Sequence, residues 1–340
     1  MAKVVTFGEI MMRLQPPGYK RFIQAQSFEV EYGGGEANVA VSVANYGMQA
    51  CFVTKLPENP IGDACLAQLR KMNVCTKHIA RGGERLGIYF AEKGASQRAS
   101  NVVYDRAHSS IATASPEDFD WAAIFEGADW FHFTGITPAI SDEAAAISLM
   151  ACKKAKEMGV KISCDLNFRK KLWTSEKAGK VMGELCEYVD VLIANEEDAE
   201  KVFGIKAAAT DITSGELSDE GYKDVCKQLA DRFGFEKVAI TLRESISASV
   251  NNWAALLYDG GEFYKSKKYT MNVIDRVGGG DSFGGGLIYA ILSDYSSQDV
   301  IEFAVAASCL KHSIEGDMNL VTLAEVKNLM KGDGSGRVQR

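Results

Sequence analysis

Six short runs of almost unbroken apolar residues punctuate the chain: KVVTFGEI from Lys3, ACFVTKL from Ala50, WFHFTGI from Trp130, VKISCDLN from Val160, VDVLIAN from Val189 and KVAITLR from Lys237. Strands buried on both faces read this way, because neither face needs polar residues. Between them lie stretches of helical period, at 141–159, 175–188 and 218–233. Strand runs alternating with helical stretches predict an α/β fold, with a mostly parallel central sheet covered by helices. Two regions break the rhythm. Residues 11–31 and 81–106 alternate with period two and mix polar, aromatic and basic side chains, which predicts a small β-sheet projecting as a lid. The tail KGDGSGRVQR, 331–340, predicts disorder, and no internal repeat occurs.

Composition narrows the classes of function. With 340 residues, 46% of them apolar, the chain can bury a large core as one α/β domain or as one domain with a small appendage. The net charge of −7 and the absence of a long basic run argue against a nucleic-acid partner. No apolar run approaches the roughly 18 residues of a membrane span, and Glu9 interrupts any signal-peptide core, so a soluble, cytoplasmic protein without a membrane partner is expected. The eight cysteines are scattered and contain no CxxC pair, which predicts reduced, mostly buried thiols. The four histidines have no spacing that puts two ligands on one helical face, so no transition-metal site is expected.

The chemistry concentrates in VIDRVGGGDSFGGGLIYAIL, Val273–Leu292, where two glycine triplets flank Asp281. A glycine-rich turn feeding a helix exposes unpaired N–H groups and the positive end of the helix dipole, a combination that favours a phosphate. Asp281 at that helix start reads either as a simple N-cap or as a carboxylate beside the anion. The second triplet, Gly284–Gly286, falls inside the helix, where each glycine costs about 1 kcal/mol against alanine; close packing or a close ligand must offset it. Phosphoryl transfer to a hydroxyl suits the pattern, with amides holding the phosphate and Asp281 accepting the alcohol proton. A carboxylate beside a helix N-terminus is expected to be a weak base, which a loose transition state tolerates. GxxxxGK[ST] and GxGxxG are both absent, which argues against a P-loop and against a dinucleotide-dependent dehydrogenase.

DRVGGGDSFGGGLIY resembles the DTxGAGDxF signature of the ribokinase-like carbohydrate kinases, the family of ribokinase and phosphofructokinase B. GGGEANVAVSVANYG, Gly33–Gly47, resembles the family's sugar-binding GGxxxN segment, and the two signatures stand in the expected order. The resemblance implies a single ribokinase-like three-layer α/β/α domain over 1–330 with the lid at 11–31 and 81–106. It further implies Asp281 as catalytic base, an anion hole at Gly278, Gly279 and Gly280, ATP and Mg2+ as cofactors, and a homo-oligomer, dimer or higher, through the lid. TFGEIMMRLQPPGYKRFIQA, GIYF, VVYDRAHSS and DLNFRKKLW resemble the branch acting on 2-keto-3-deoxygluconate, which implies transfer to the hydroxyl on carbon six. A sugar acid needs a cationic partner, and Arg106 and Arg169 are the candidates. The same resemblance places Gly33, Gly34, Asn38, Tyr89 and Tyr104 in the substrate pocket. Taken without it, the tyrosines read as lid packing and the arginines as surface charge.

On the nucleotide side, IANEEDAEKVFG resembles the family's NxxE segment, with Asn195 at its start and Asp198 in the fourth position. Asp198 reads either as a magnesium partner acting through water or as part of an acid-rich helix start. TLRESISAS stands where TxGxxG is expected; Thr241 is kept, whereas Arg243 and Ile246 replace both glycines, and Arg243 is assigned to the ATP phosphates. The resemblance also allows K+ near Asp275. A kinase of a neutral sugar such as fructose or ribose is the alternative, and a non-catalytic sugar sensor ranks below it because Asp281 and its glycines are intact.

Overall fold

The computed structural model describes residues 1–206, 219–332 and 334. Each of the six apolar runs contains or overlaps a strand of one sheet, whose parallel part runs in the spatial order Gln49–Val53, Lys3–Phe7, Trp130–Thr134, Lys161–Asp165, Val191–Ala194, Lys237–Ser245. Their side chains serve both faces in turn. Val191 and Ile193 join a core beneath the helices Gly35–Asn45, Gly279–Leu292 and Ser297–Lys311, whereas Leu192 points into the opposite core with Asp142–Glu157, Ser175–Cys186 and Asp219–Phe233. This makes three layers, helices over sheet over helices. Burying a valine or isoleucine of this kind contributes about 1.5–3 kcal/mol relative to leaving it exposed.

The expected helices at 141–159 and 175–188 are present within a few residues of those bounds; of 218–233, residue 218 lies outside the described residues. Local chemistry explains their starts. Ser141 Oγ accepts the Ala144 N–H at 3.0 Å, and Thr174 Oγ1 accepts the Lys177 N–H at 3.2 Å. The sheet also continues beyond Lys237–Ser245 into an antiparallel edge built from Val250–Asp259, Glu262–Lys265 and Tyr269–Asn272, which the apolar runs did not predict. The hairpin signal was present in the sequence. Gly260 and Gly261 form its two-residue turn with φ of 57° and 102°.

Four strands form a second, smaller sheet in the order Glu29–Gly33, Met11–Gln15, Gly87–Glu92, Asn101–Asp105. The outer pairs are antiparallel and the central pair is parallel. Residues 16–28 leave this sheet after Gln15, where Pro16 and Pro17 lack the N–H a ladder needs. Within the glycine-rich helix, a Cβ on Gly285 would sit 2.6 Å from Ser42 Cβ, and one on Gly286 would sit 3.1 Å from Ala304 Cα. Two neighbouring helices therefore pack directly on this one. The second triplet serves packing rather than a ligand.

All eight cysteines are free and six are buried. Among the described residues, no helix is long and apolar enough to cross a membrane. The tail at 331–340 falls outside the described residues except for Lys331, Gly332 and Gly334.

Candidate active site

The carboxyl ends of five parallel strands open into a cavity of about 1370 Å³ beneath the small sheet, and every candidate residue named above lines it. The location follows from topology. Lys3–Phe7 has Gln49–Val53 on one side and Trp130–Thr134 on the other, so the chain reverses direction across the sheet there, and such switch points leave a crevice at the strand ends.

Asp281 lies in the first turn of the helix Gly279–Leu292, at the floor of this cavity. Asn38, in the first turn of Gly35–Asn45, donates its amide N–H to Asp281 Oδ2 at 2.7 Å. Burial pushes the Asp281 carboxyl up to about 6; the Asn38 bond, Arg169 and Lys311 oppose that rise, and Asp317 adds to it. This differs from the weak base expected at a helix start, and burial is the largest cause. Gly278 stands just before the helix with φ of 81°, and a Cβ there would lie 2.0 Å from the Asp317 carbonyl oxygen. No larger residue fits. Gly279 packs against His312, where a Cβ would approach Cε1 to 2.3 Å, whereas Gly280 faces open space. The N–H groups of Gly280 and Asp281 have no partner among the described residues, as the first turn of a helix allows. The turn thus presents free donors to the cavity beside a carboxyl of raised pKa.

The two arginines that line the cavity as substrate candidates differ. Arg106 is nearly buried and pairs with Glu9, whose other oxygen accepts the Ser109 hydroxyl at 2.6 Å. Its guanidinium also lies 5.6 Å from the Tyr104 ring centroid. Arg169 is exposed, and its one described hydrogen bond runs from Nη1 to the Phe168 carbonyl at 3.3 Å; it forms no described ion pair, although its charge lowers the pKa values of Asp165, Asp198 and Asp281. Tyr89 is buried and donates its hydroxyl to Asp317, so it offers the cavity a ring wall rather than a free donor; the Tyr104 ring lies 6.0 Å away. Gly33 and Gly34 are required by close approach. A Cβ would meet Asp317 Oδ2 at 2.0 Å at Gly33 and the Glu9 carbonyl oxygen at 1.9 Å at Gly34.

Asn195 and Asp198 form a reciprocal cap on the helix Glu196–Phe203. Asn195 Oδ1 accepts the Asp198 N–H at 2.8 Å, and Asp198 Oδ2 accepts the Asn195 N–H at 3.4 Å. Asp198 Oδ1 also accepts the Phe168 N–H at 3.0 Å, so both oxygens are engaged, and burial lifts this carboxyl to about 6. Asp165, which the sequence reading did not single out, is raised well above the usual carboxylate range by burial, then by Asp198 and Asp281. Crowded carboxyls of this kind fit a hydrated Mg2+ carried in by phosphates, and no described group of three or more acidic, His or Cys residues forms a direct cage. Where two glycines were expected, Arg243 and Ile246 lie on a strand and the tight turn after it; Arg243 lies opposite Trp253. Thr241 and Arg243 line the cavity, and Arg276 is held low by burial and then by the charge of Arg243. Two like charges facing one cavity favour an anion between them.

The expected potassium neighbourhood at Asp275 is filled differently. Asp275 Oδ2 pairs with Arg13 Nη2 at 2.8 Å and accepts the Gly316 N–H at 3.1 Å, while Oδ1 accepts the Val277 N–H at 3.1 Å. A carboxylate already bound by a guanidinium and two amides is poorly suited to a further monovalent cation. The sequence reading missed Arg13, Glu9, Asp165 and Asp317; Asp317 has no motif around it, and Arg13 occupied an ordinary polar position in a period-two strand.

Comparison with known proteins identifies the family. The model of the pfkB family carbohydrate kinases matches residues 1–322. The crystal structure of 2-dehydro-3-deoxygluconokinase from Thermotoga maritima is 54% identical, with a TM-score of 0.94 over 97% of this chain and 98% of that one. A 2-dehydro-3-deoxygalactonokinase from Haloferax volcanii is 32% identical over 335 residues, covering 98% of each chain. A sugar kinase from Pyrococcus horikoshii in complex with ATP shares the fold at 22% identity, with a TM-score of 0.75 over 95% of this chain and 99% of that one. The chain belongs to the pfkB family of carbohydrate kinases.

Proposed function

We propose that this kinase transfers the γ-phosphoryl group of ATP to the terminal, carbon-six hydroxyl of 2-keto-3-deoxygluconate, with Asp281 as general base. One observation carries the reading. A carboxyl with a pKa of about 6 stands beside unpaired amides in a cavity that Arg106 and Arg169 also line. The 54% identity to the Thermotoga 2-dehydro-3-deoxygluconokinase favours the gluconate derivative over its galactonate epimer.

Asn38 occupies Oδ2 of Asp281 and so leaves Oδ1 to accept the alcohol proton as the oxygen attacks in line. The N–H groups at Gly280 and Asp281 stabilise the equatorial phosphoryl oxygens, and Arg243 with Arg276 neutralises the departing nucleotide. Mg2+, when bound with ATP, supplies further neutralisation, and Asp165 and Asp198 would hold its hydration shell. Arg169 meets the substrate carboxylate with its charge; Arg106, oriented by Glu9, adds hydrogen bonds. The small sheet acts as a lid that excludes water, which would otherwise compete as acceptor. We treat residues 1–330 as one catalytic unit in the cytoplasm. Its lid carries the exposed side chains Ile23 (93%), Val30 (52%) and Val103 (49%), which support a homo-oligomer formed through that sheet.

Steady-state kinetics with 2-keto-3-deoxygluconate, the galactonate epimer and fructose test this. The kcat/KM for the gluconate derivative should be the highest. Equal values for fructose reject the sugar-acid reading and favour a neutral-sugar kinase.

A further inference from the structure

Arg13 is among the largest fully buried side chains of the protein, 1% exposed, although it belongs to a strand of the lid sheet. Its guanidinium forks between two carboxylates from the far end of the chain, Asp275 at 2.8 Å and Asp317 at 2.7 Å. Those carboxylates bracket the anion turn. Asp275 fixes the amide of Val277, one residue before Gly278, and the Asp317 carbonyl oxygen abuts Gly278 so closely that no Cβ fits. Two buried acids on either side of this turn repel one another unless a cation lies between them. Buried Lys311 also feels both acids, but its ammonium donates to the Ile314 carbonyl at 3.1 Å; Arg13 is the cation that pairs directly with the two carboxylates, and it is covalently part of the lid.

We propose that Arg13 is a built-in cation that positions the Gly278–Gly280 turn, so that this kinase needs no bound monovalent ion for turnover. A mobile ion would have to collect oxygen ligands from a carboxylate on which Arg13, Val277 and Gly316 already take three of about four acceptor positions. A guanidinium reaches both acids at once with fixed fork geometry, which an ammonium cannot reproduce. This role rests on the proposed kinase activity for its effect on turnover, but its effect on the fold can be read without substrate.

The test compares wild type, R13M and R13K in KCl, NaCl and tetramethylammonium chloride at equal ionic strength, by thermal melting without substrate and by kcat and KM for ATP. Wild type should melt at one temperature and turn over within about twofold in all three salts. R13M should lose about tenfold or more in kcat in tetramethylammonium and recover several-fold in KCl, with a melting temperature that KCl raises by a few degrees. R13K should retain more activity than R13M and show no preference for K+. Wild type that melts higher or turns over several-fold faster in KCl overturns the proposal, and so does folded R13M with native kcat. If R13M fails to fold, the wild-type salt series decides. If no sugar acid is turned over in any salt, the functional reading fails, whereas the melting series still decides the role of Arg13.

Discussion

Asn38 and Asp281, 243 residues apart in sequence, meet through one hydrogen bond of 2.7 Å. The contact joins the first turns of two helices at the cavity floor and ties the segment expected to bind sugar to the proposed base. It also sets the chemistry of that base. Asn38 stabilises the ionised carboxyl, partly cancelling the upward push of burial that leaves it at about 6. A base must be ionised to act, so kcat/KM should fall with slope one as pH drops through about 6 in wild type. Asn38→Ala should move that acid limb to higher pH; an unmoved limb shows that another group titrates.

The same carboxyl makes a stability prediction of opposite sense. Its folded pKa lies above the ordinary 3.8, so the folded state binds the proton more tightly than the unfolded state. That contribution is fully present below about 3.8 and is lost as pH rises through about 6. At pH 8 the ionised form costs at most roughly 3 kcal/mol, and Asp281→Asn should stabilise the protein by up to that amount. Denaturant unfolding checks this. The gain should vanish near pH 4, where wild type is also neutral at this position.

Arg106 and Arg169 should not be equivalent. Arg169 forms no described ion pair, whereas Arg106 is committed to Glu9. Arg169→Ala should lower kcat/KM for the sugar acid by about 10- to 100-fold, the loss of one charge-assisted contact, and change fructose turnover little. Arg106→Ala should also weaken the sugar acid selectively, with an added loss of stability because it leaves buried Glu9 unpaired. Equal losses on both sugars would remove the carboxylate assignment.

Arg243 replaces a glycine expected to let the backbone approach the nucleotide. With its charge near Arg276 and its strand fixed opposite Trp253, it should act through the phosphates. Arg243→Ala should raise the KM for ATP by about tenfold, more at low salt than at high salt, and leave the KM for the sugar unchanged. Unaltered affinity for ATP would reject this role.

The parallel sheet was legible because strands buried on both faces leave a local mark: each run is apolar whichever face a residue serves, as Val191 and Leu192 do. The anion turn was legible for the same local reason, since Gly278–Asp281 are contiguous. Pairings between distant segments left no such mark. Arg13 and Asp275 are 262 residues apart, Arg106 and Glu9 97 apart, and nothing in either segment names its partner. The antiparallel edge had a local signal in Gly260–Gly261, but its strands mix polar residues into the pattern and were not separated from loop.

The most direct test of the catalytic role of Asp281 is single-turnover phosphorylation of 2-keto-3-deoxygluconate by Asp281→Asn, with ATP and sugar binding measured on the same protein. The account predicts that both ligands still bind within a few-fold of wild type while the chemical step slows by about 10²–10⁴. A chemical step within about threefold of wild type would contradict it, because proton acceptance would then reside elsewhere.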